Sequence, residues 1–239
     1  MTEGPDRRRS MSTLPARDLN AVQLAESMRA AGCPLCHHRA RAVRRFIEGF
    51  LYESVNDVTF RRDLDTARGC CDLHTHALFD ADRRLSGGML GSAILLGAIL
   101  RIREQELRTA HSAGGISRGR RVQDAARPPA CLVCTESAHI DEVSAGSLVR
   151  LAADARWAEA IGAAELCLQH LVTLMAAPGR SGGWSVVEQQ QLTRIAALRE
   201  LVAGFAHNSS HDRRQLTTPE QVASPTRAAS FLGGDPGER

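Results

Sequence analysis

The chain has 239 residues, a net charge of +3 and 43% apolar residues, enough for a buried core in one large domain or two small ones. Aromatic residues make up only 4%, so the core must be rich in Leu, Ala and Val, which favours packed helices over a β-sandwich. All 30 basic residues are arginine; the lack of lysine excludes Schiff-base chemistry and a Walker-A site, and +3 alone marks no nucleic-acid surface.

Residues 1–17 are rich in Arg, Ser and Pro, have no apolar h-region, and read as a disordered tail of a cytoplasmic protein. Asp18 can cap a helix from Leu19 to about Ala31, with Leu24 and Met28 on one face. Gly32 breaks it, and Cys33-Pro34-Leu35-Cys36 follows as a tight turn stiffened by Pro34. From His37 the spacing of Val43, Phe46, Ile47, Phe50 and Leu51 is helical and is expected to run on into Glu53-Ser54-Val55-Asn56-Asp57. A short helix carries Phe60 and Leu64, Gly69 punctuates, and a helix through His74, Leu78 and Phe79 follows Cys71. The run Met89 to Leu100 is shorter than the ~20 residues a bilayer span needs and reads as the start of a long buried helix.

Residues 109–129, with Gly114-Gly115, Pro128-Pro129 and several arginines but no apolar period, read as a linker. The order CxxC, helix, short helix, CxxH helix then returns. Asp154 and Trp157 precede Cys167 much as Asp57 and Phe60 precede Cys71, which suggests an internal duplication. A last long helix follows Pro178 to Gly183, and the tail from 213 is polar, with a short helix near Pro219 to Phe231.

Six of the seven cysteines fall in two CxxC…CxxH sets: Cys33 and Cys36 with Cys71 and His74, then Cys131 and Cys134 with Cys167 and His170. Each half thus offers three thiols and one imidazole, the ligand set of a closed zinc site, and iron–sulfur clusters more often take four thiolates. The expected architecture is all-α: two pseudo-repeated helical units, each stapled by a Cys3His metal site. The corresponding division is 18–108, a linker at 109–129, 130–212, and a mostly flexible tail at 213–239.

The segments Cys33–Cys36, Glu53–Asp57 and Gly69-Cys70-Cys71-Asp72-Leu73-His74, followed by Cys131–Cys134 and Leu166–His170, resemble an uncharacterised bacterial family of unknown function. Its signature is CPxC, ESVND and GFCxxH, with a CxxC and LCxxH in the second half. An HD-x-R element of that family is similar to His211-Asp212-Arg213-Arg214. Cys70 stands where the family prefers Phe, which leaves Cys71 as the ligand and Cys70 as an extra thiol. The resemblance covers roughly residues 20–233 and implies no activity.

Other readings are weaker on residue grounds. Cys33 to His37 also spells the haem-attachment CxxCH, but Thr135 follows the second CxxC. No strand precedes the CPLC pair, as a glutaredoxin-like site would need. His37, His38 and His76 are candidates for contacts around the first site. Glu53, Asn56 and Asp57 form a polar cluster that reads as a cap and hydrogen-bond network, or as a carboxylate site for a ligand. The Arg-rich linker could touch phosphate. The expected function is a non-catalytic zinc module, holding two ions, that binds a protein partner or a nucleic acid. The alternative is a thiol-redox or metal-handling protein using the CPLC pair with Cys70 and Cys71.

Overall fold

The computed structural model describes residues 14–53, 55–179, 182–209 and 216–234; His211 to Arg214 lie outside them. Among the described residues there are eleven helices and no strand. They are α1 Leu19–Ser27, α2 Pro34–Tyr52, α3 Val58–Thr66, α4 Asp72–Ser86, α5 Leu90–Ser112, α6 Gly115–Ala126, α7 Leu132–Leu151, α8 Ala155–Ala163, α9 Leu168–Ala176, α10 Gly182–Asn208 and α11 Pro219–Gly233. No helix among these residues is long and apolar enough to cross a membrane.

The chain divides into two compact units, one made of residues 1–40 with 140–239 and the other of residues 41–139. This differs from the two sequential halves expected from the sequence. The reason is visible in two helices. Helix α2 starts in the first unit and ends in the second, while α7 starts in the second and ends in the first. The core of the first unit gathers Leu24, Leu35, Leu148, Trp157, Ile161, Leu174, Trp184 and Val187 around Cys33, Cys36 and Cys167. That of the second gathers Ile47, Phe50, Leu64, Leu78, Leu95 and Val133, with Phe60 stacked on Phe50 at 4.9 Å.

Short polar side chains start the helices, as their acceptor oxygens satisfy N–H groups that lack helical partners. Asp18 accepts from Ala21 N at 2.7 Å, Asp57 from Phe60 N at 2.7 Å and Asp154 from Arg156 N at 2.9 Å. At the other end of α8, the buried Gln191 amide donates to the carbonyls of Ile161, Gly162 and Ala164, 2.9–3.1 Å away. That bond set fixes the three-residue approach to Cys167. The approach to Cys71 is fixed differently. Arg68 has φ +63°, and its guanidinium bonds Glu106 at 2.8 Å and the Ala125 carbonyl at 3.2 Å. Gly69 follows at φ +102°, where an added Cβ would sit 3.0 Å from Ile99; only glycine suits both demands.

Four local expectations change. The CxxC pairs do not sit on isolated turns: Pro34 is the first residue of α2, where its missing N–H costs nothing. Helix α2 stops at Tyr52, so Glu53 and Asp57 do not share a helical face. The run from Met89 is only half-buried. Leu95 and Ala98 face the core, whereas Leu90 and Leu100 are 74% and 68% exposed, because a helix turns its apolar residues in all directions. The expected linker is instead helical through α6, whose only buried residue is Ala125. Ile116, Val122 and Ala126 lie on one side of α6 and Arg120, Arg121 and Asp124 on the other, but the apolar residues are too few and too widely spaced for the period to stand out.

Asp82, buried on α4, accepts from Ser92 N and Ser92 Oγ, both at 2.7 Å, and so ties α4 to the start of α5. Burial alone would raise its pKa, but the Ser92 and Ser86 bonds outweigh that and lower it. A depressed carboxyl stabilises the fold above its unfolded value of about 4, and that contribution is lost as pH falls through the lower native value. Replacing it, Asp82→Ala, leaves the Ser92 N–H buried without its acceptor, at a cost of ~1–3 kcal/mol. Urea unfolding at about pH 7 should show that loss, and the gap between native and variant should narrow in acid.

Two candidate metal centres

The four motifs share one local design. Cys33, Cys71, Cys131 and Cys167 each stand immediately before a helix, and each carbonyl accepts the first helical bond: from His37, Thr75, Thr135 and Leu171, at 2.8–3.2 Å. The second donor of each motif, Cys36, His74, Cys134 or His170, lies three residues on, on the same face of the first turn. A sulfur at this position meets the positive end of the helix, which favours thiolate.

The structure brings the eight residues together in two groups, each with its four donor atoms within 4.8 Å of one another. The partners are not those expected. Cys33 and Cys36 meet Cys167 and His170, and Cys71 and His74 meet Cys131 and Cys134. Each centre therefore lies wholly within one unit, A in residues 1–40 with 140–239 and B in 41–139. Sequence alone does not decide the pairing, because either combination supplies three thiols, one imidazole and two helix starts. A backbone bond from Ala130 N to Ala67 O, 3.0 Å, holds the approach to Cys131 beside the approach to Cys71.

The distances suit a four-coordinate ion. Tetrahedral zinc with ordinary Zn–S and Zn–N bonds sets S···S near ~3.8 Å and S···N near ~3.6 Å. In centre A, Cys36 Sγ is 3.7 Å from Cys167 Sγ. His170 Nδ1 is 3.1–3.4 Å from the sulfurs of Cys33, Cys36 and Cys167. In centre B, Cys71 Sγ is 3.7 Å from Cys134 Sγ, and His74 Nδ1 is 3.2–3.4 Å from the three sulfurs. Three thiols this close cannot all ionise unaided. In centre A, hydrogen bonds with Cys33 and Cys36 lower the Cys167 pKa, while those with Cys167 and Cys36 push Cys33 up. In centre B, burial and the neighbouring sulfurs push Cys134 up to about 12. A divalent cation removes this conflict by neutralising the thiolates together.

The centres differ in their surroundings. All four donors of A are buried, whereas in B Cys131 is buried, Cys71 and His74 are half-buried, and Cys134 is exposed. Centre A also has an outer carboxylate. His170 Nε2 lies 3.0 Å from Asp141 Oδ1, and Arg39 Nη1 donates to Asp141 Oδ2 at 3.1 Å. Burial opposes a charged imidazole, but Asp141 and the Cys167 and Cys36 sulfurs outweigh it and push the His170 pKa up to about 11. Asp141 and Arg39 escaped the sequence reading. A signal existed: Asp141 lies seven residues after Cys134, on the same helix face, where the position seven after Cys36 is Val43.

The remaining candidates fall outside both donor sets. His37, His38 and His76 are in neither group. Glu53, Asn56 and Asp57 are all exposed, and Asp57 is engaged as the cap of α3. Cys70 adjoins centre B: its thiol interacts with the Cys131 sulfur, which raises the Cys70 pKa and, against burial, lowers that of Cys131 to about 2.

Residues 12–193 match a family of unknown function, DUF6062, and the chain belongs to it. An uncharacterized 23.9 kDa protein in the xynA 3′ region of Caldicellulosiruptor sp. (strain Rt8B.4) is 35% identical over 78 residues. That stretch covers 33% of this chain and 36% of the relative, so the chain spans about a third of the protein it matches. No solved structure matches the chain.

The pairing makes a test by double substitution. Cys36→Ala and Cys167→Ala should each remove the metal of one centre and, combined, remove no more; Cys36→Ala with Cys71→Ala should remove both. Pairing within sequential halves would reverse these two results in elemental analysis. Asp141→Ala should weaken metal binding at centre A by about 10–100-fold and leave centre B unchanged in chelator competition.

Proposed function

We propose that this DUF6062 chain is a non-catalytic, zinc-stabilised helical module that acts in the cytoplasm by binding a protein partner. The observation that carries the reading is the completeness of both donor sets. Three sulfurs and one imidazole already fill a tetrahedron, so no position remains for the water or substrate that a catalytic zinc needs. The outer carboxylate on His170 fits a permanent ligand, since such partners fix the ring and its tautomer. Zinc is preferred over iron because Cys3His is a common structural zinc set.

The metal would act by pinning helix starts that are distant in sequence. Structural zinc sites contribute ~10–16 kcal/mol of apparent binding energy in small peptides, comparable with the whole stability of a domain. A protein partner fits the exposed leucines 90, 100 and 107 of α5. The exposed arginines 118, 120 and 121 on α6 leave nucleic acid as the other partner class.

Elemental analysis of chain purified under reducing conditions should find about two zinc ions per chain in a colourless solution, one for each centre. Stoichiometric iron with visible charge-transfer bands would overturn the zinc reading. Removing the metal with a chelator should lower the thermal midpoint and loosen the helices, read by circular dichroism.

A further inference from the structure

The two centres hold equal numbers of donor thiols but differ in the thiols beside them. The chain has seven cysteines; three belong to centre A and three to centre B, and Cys70 packs beside B in the cluster that contains Cys131. Centre B is therefore a group of four sulfurs in which one ligand, Cys134, is exposed. Centre A is closed. The end of α11 lies over it: Phe231 packs on the core around Cys33 and Cys36, and a side chain at Gly234 would meet the Cys36 sulfur at 3.5 Å. Centre B thus presents a small oxidant with an exposed donor, Cys134, and two half-buried sulfurs, Cys70 and Cys71, around the buried Cys131, where every donor of centre A is buried.

We infer that centre B is a peroxide-responsive zinc–thiol switch in which Cys70 closes a disulfide with Cys131 and releases the metal, while centre A keeps its metal. The inference rests on the zinc reading above. The co-reactant is a hydroperoxide. The Cys131 thiolate attacks the terminal oxygen of hydrogen peroxide, the O–O bond breaks, hydroxide leaves, and Cys131 becomes a sulfenic acid. The Cys70 sulfur then attacks the Cys131 sulfur, the S–O bond breaks, and the Cys70 proton leaves with the departing oxygen as water. Two sulfurs lose one electron each and one peroxide is reduced. Centre B is left with Cys71, His74 and Cys134, one ligand short of a closed tetrahedron. Cys70 also protects: a sulfenic acid with a resolving thiol beside it becomes a reducible disulfide instead of an irreversible sulfinic acid.

The test uses the full chain loaded with zinc and its metal content measured beforehand. Hydrogen peroxide is added, zinc release is followed with a colorimetric chelator, and free thiols are alkylated and mapped by mass spectrometry. The expected result is loss of half the zinc, a Cys70–Cys131 disulfide, newly alkylated Cys71 and Cys134, and continued protection of Cys33, Cys36 and Cys167. Dithiothreitol with added zinc should restore the lost half in the native chain, whereas in Cys70→Ser the loss should persist after reduction. Equal release from both centres, a disulfide that omits Cys70, or a Cys70→Ser chain that recovers like the native one would overturn the inference and leave the zinc reading standing. A chain without metal at the start would sink the zinc reading and this inference with it. The disulfide map of the native chain decides the matter even where the substituted chain fails to load zinc.

Discussion

Everything in this structure depends on pairs of helix starts held face to face through their first turns. Each start presents a cysteine before the helix and a second donor three residues later, so two starts complete one tetrahedron. The arrangement gathers partial positive charge from two backbones around three sulfurs. It also sets the entry direction of four helices at once: α2 and α9 at centre A, α4 and α7 at centre B. Helices need tertiary packing to hold them, and here the packing is registered at those ends. Leu35 and Val133, the residues inside the CxxC motifs, are each only 1% exposed and belong to the two cores.

The eight residues that gather into two possible metal groups stand out in the sequence because their CxxC and CxxH spacing is a local, periodic signal. Their pairing does not, because it is a long-range choice between chemically equivalent motifs. The same limit explains the other differences. Asp141 and Arg39 look like ordinary charges on a helix until the fold places His170 beside them. Helix α6 has an apolar side of only a few widely spaced residues, so its arginines and glycines read as a loop; Arg68 and Arg103 both bond one of its carbonyls, Ala125. The resemblance to a family of unknown function, in contrast, is borne out by the family match over residues 12–193.

The two centres share a donor set and differ in everything around it. Centre A has a carboxylate behind its histidine, an arginine behind the carboxylate, and a helix end over its sulfurs. Centre B has half-buried donors and a spare thiol. Identical donor sets therefore would not give a bound metal identical exchange rates: lability follows access and outer hydrogen bonds as much as the ligands themselves.

The exchange of partners also fixes an order of assembly. Cys71 and Cys134 are 63 positions apart, whereas Cys33 must find His170 across 137. As the chain emerges from the ribosome, residues 41–139 are complete while the partners of Cys33 and Cys36 have not yet been made. Loop-closure entropy grows only slowly with length, so the delay is one of synthesis and search and costs little final stability. During it, the segment from Leu19 to Cys36 waits with its apolar face and two thiols uncovered. A segment made before the second unit is thus enclosed only after that unit is complete.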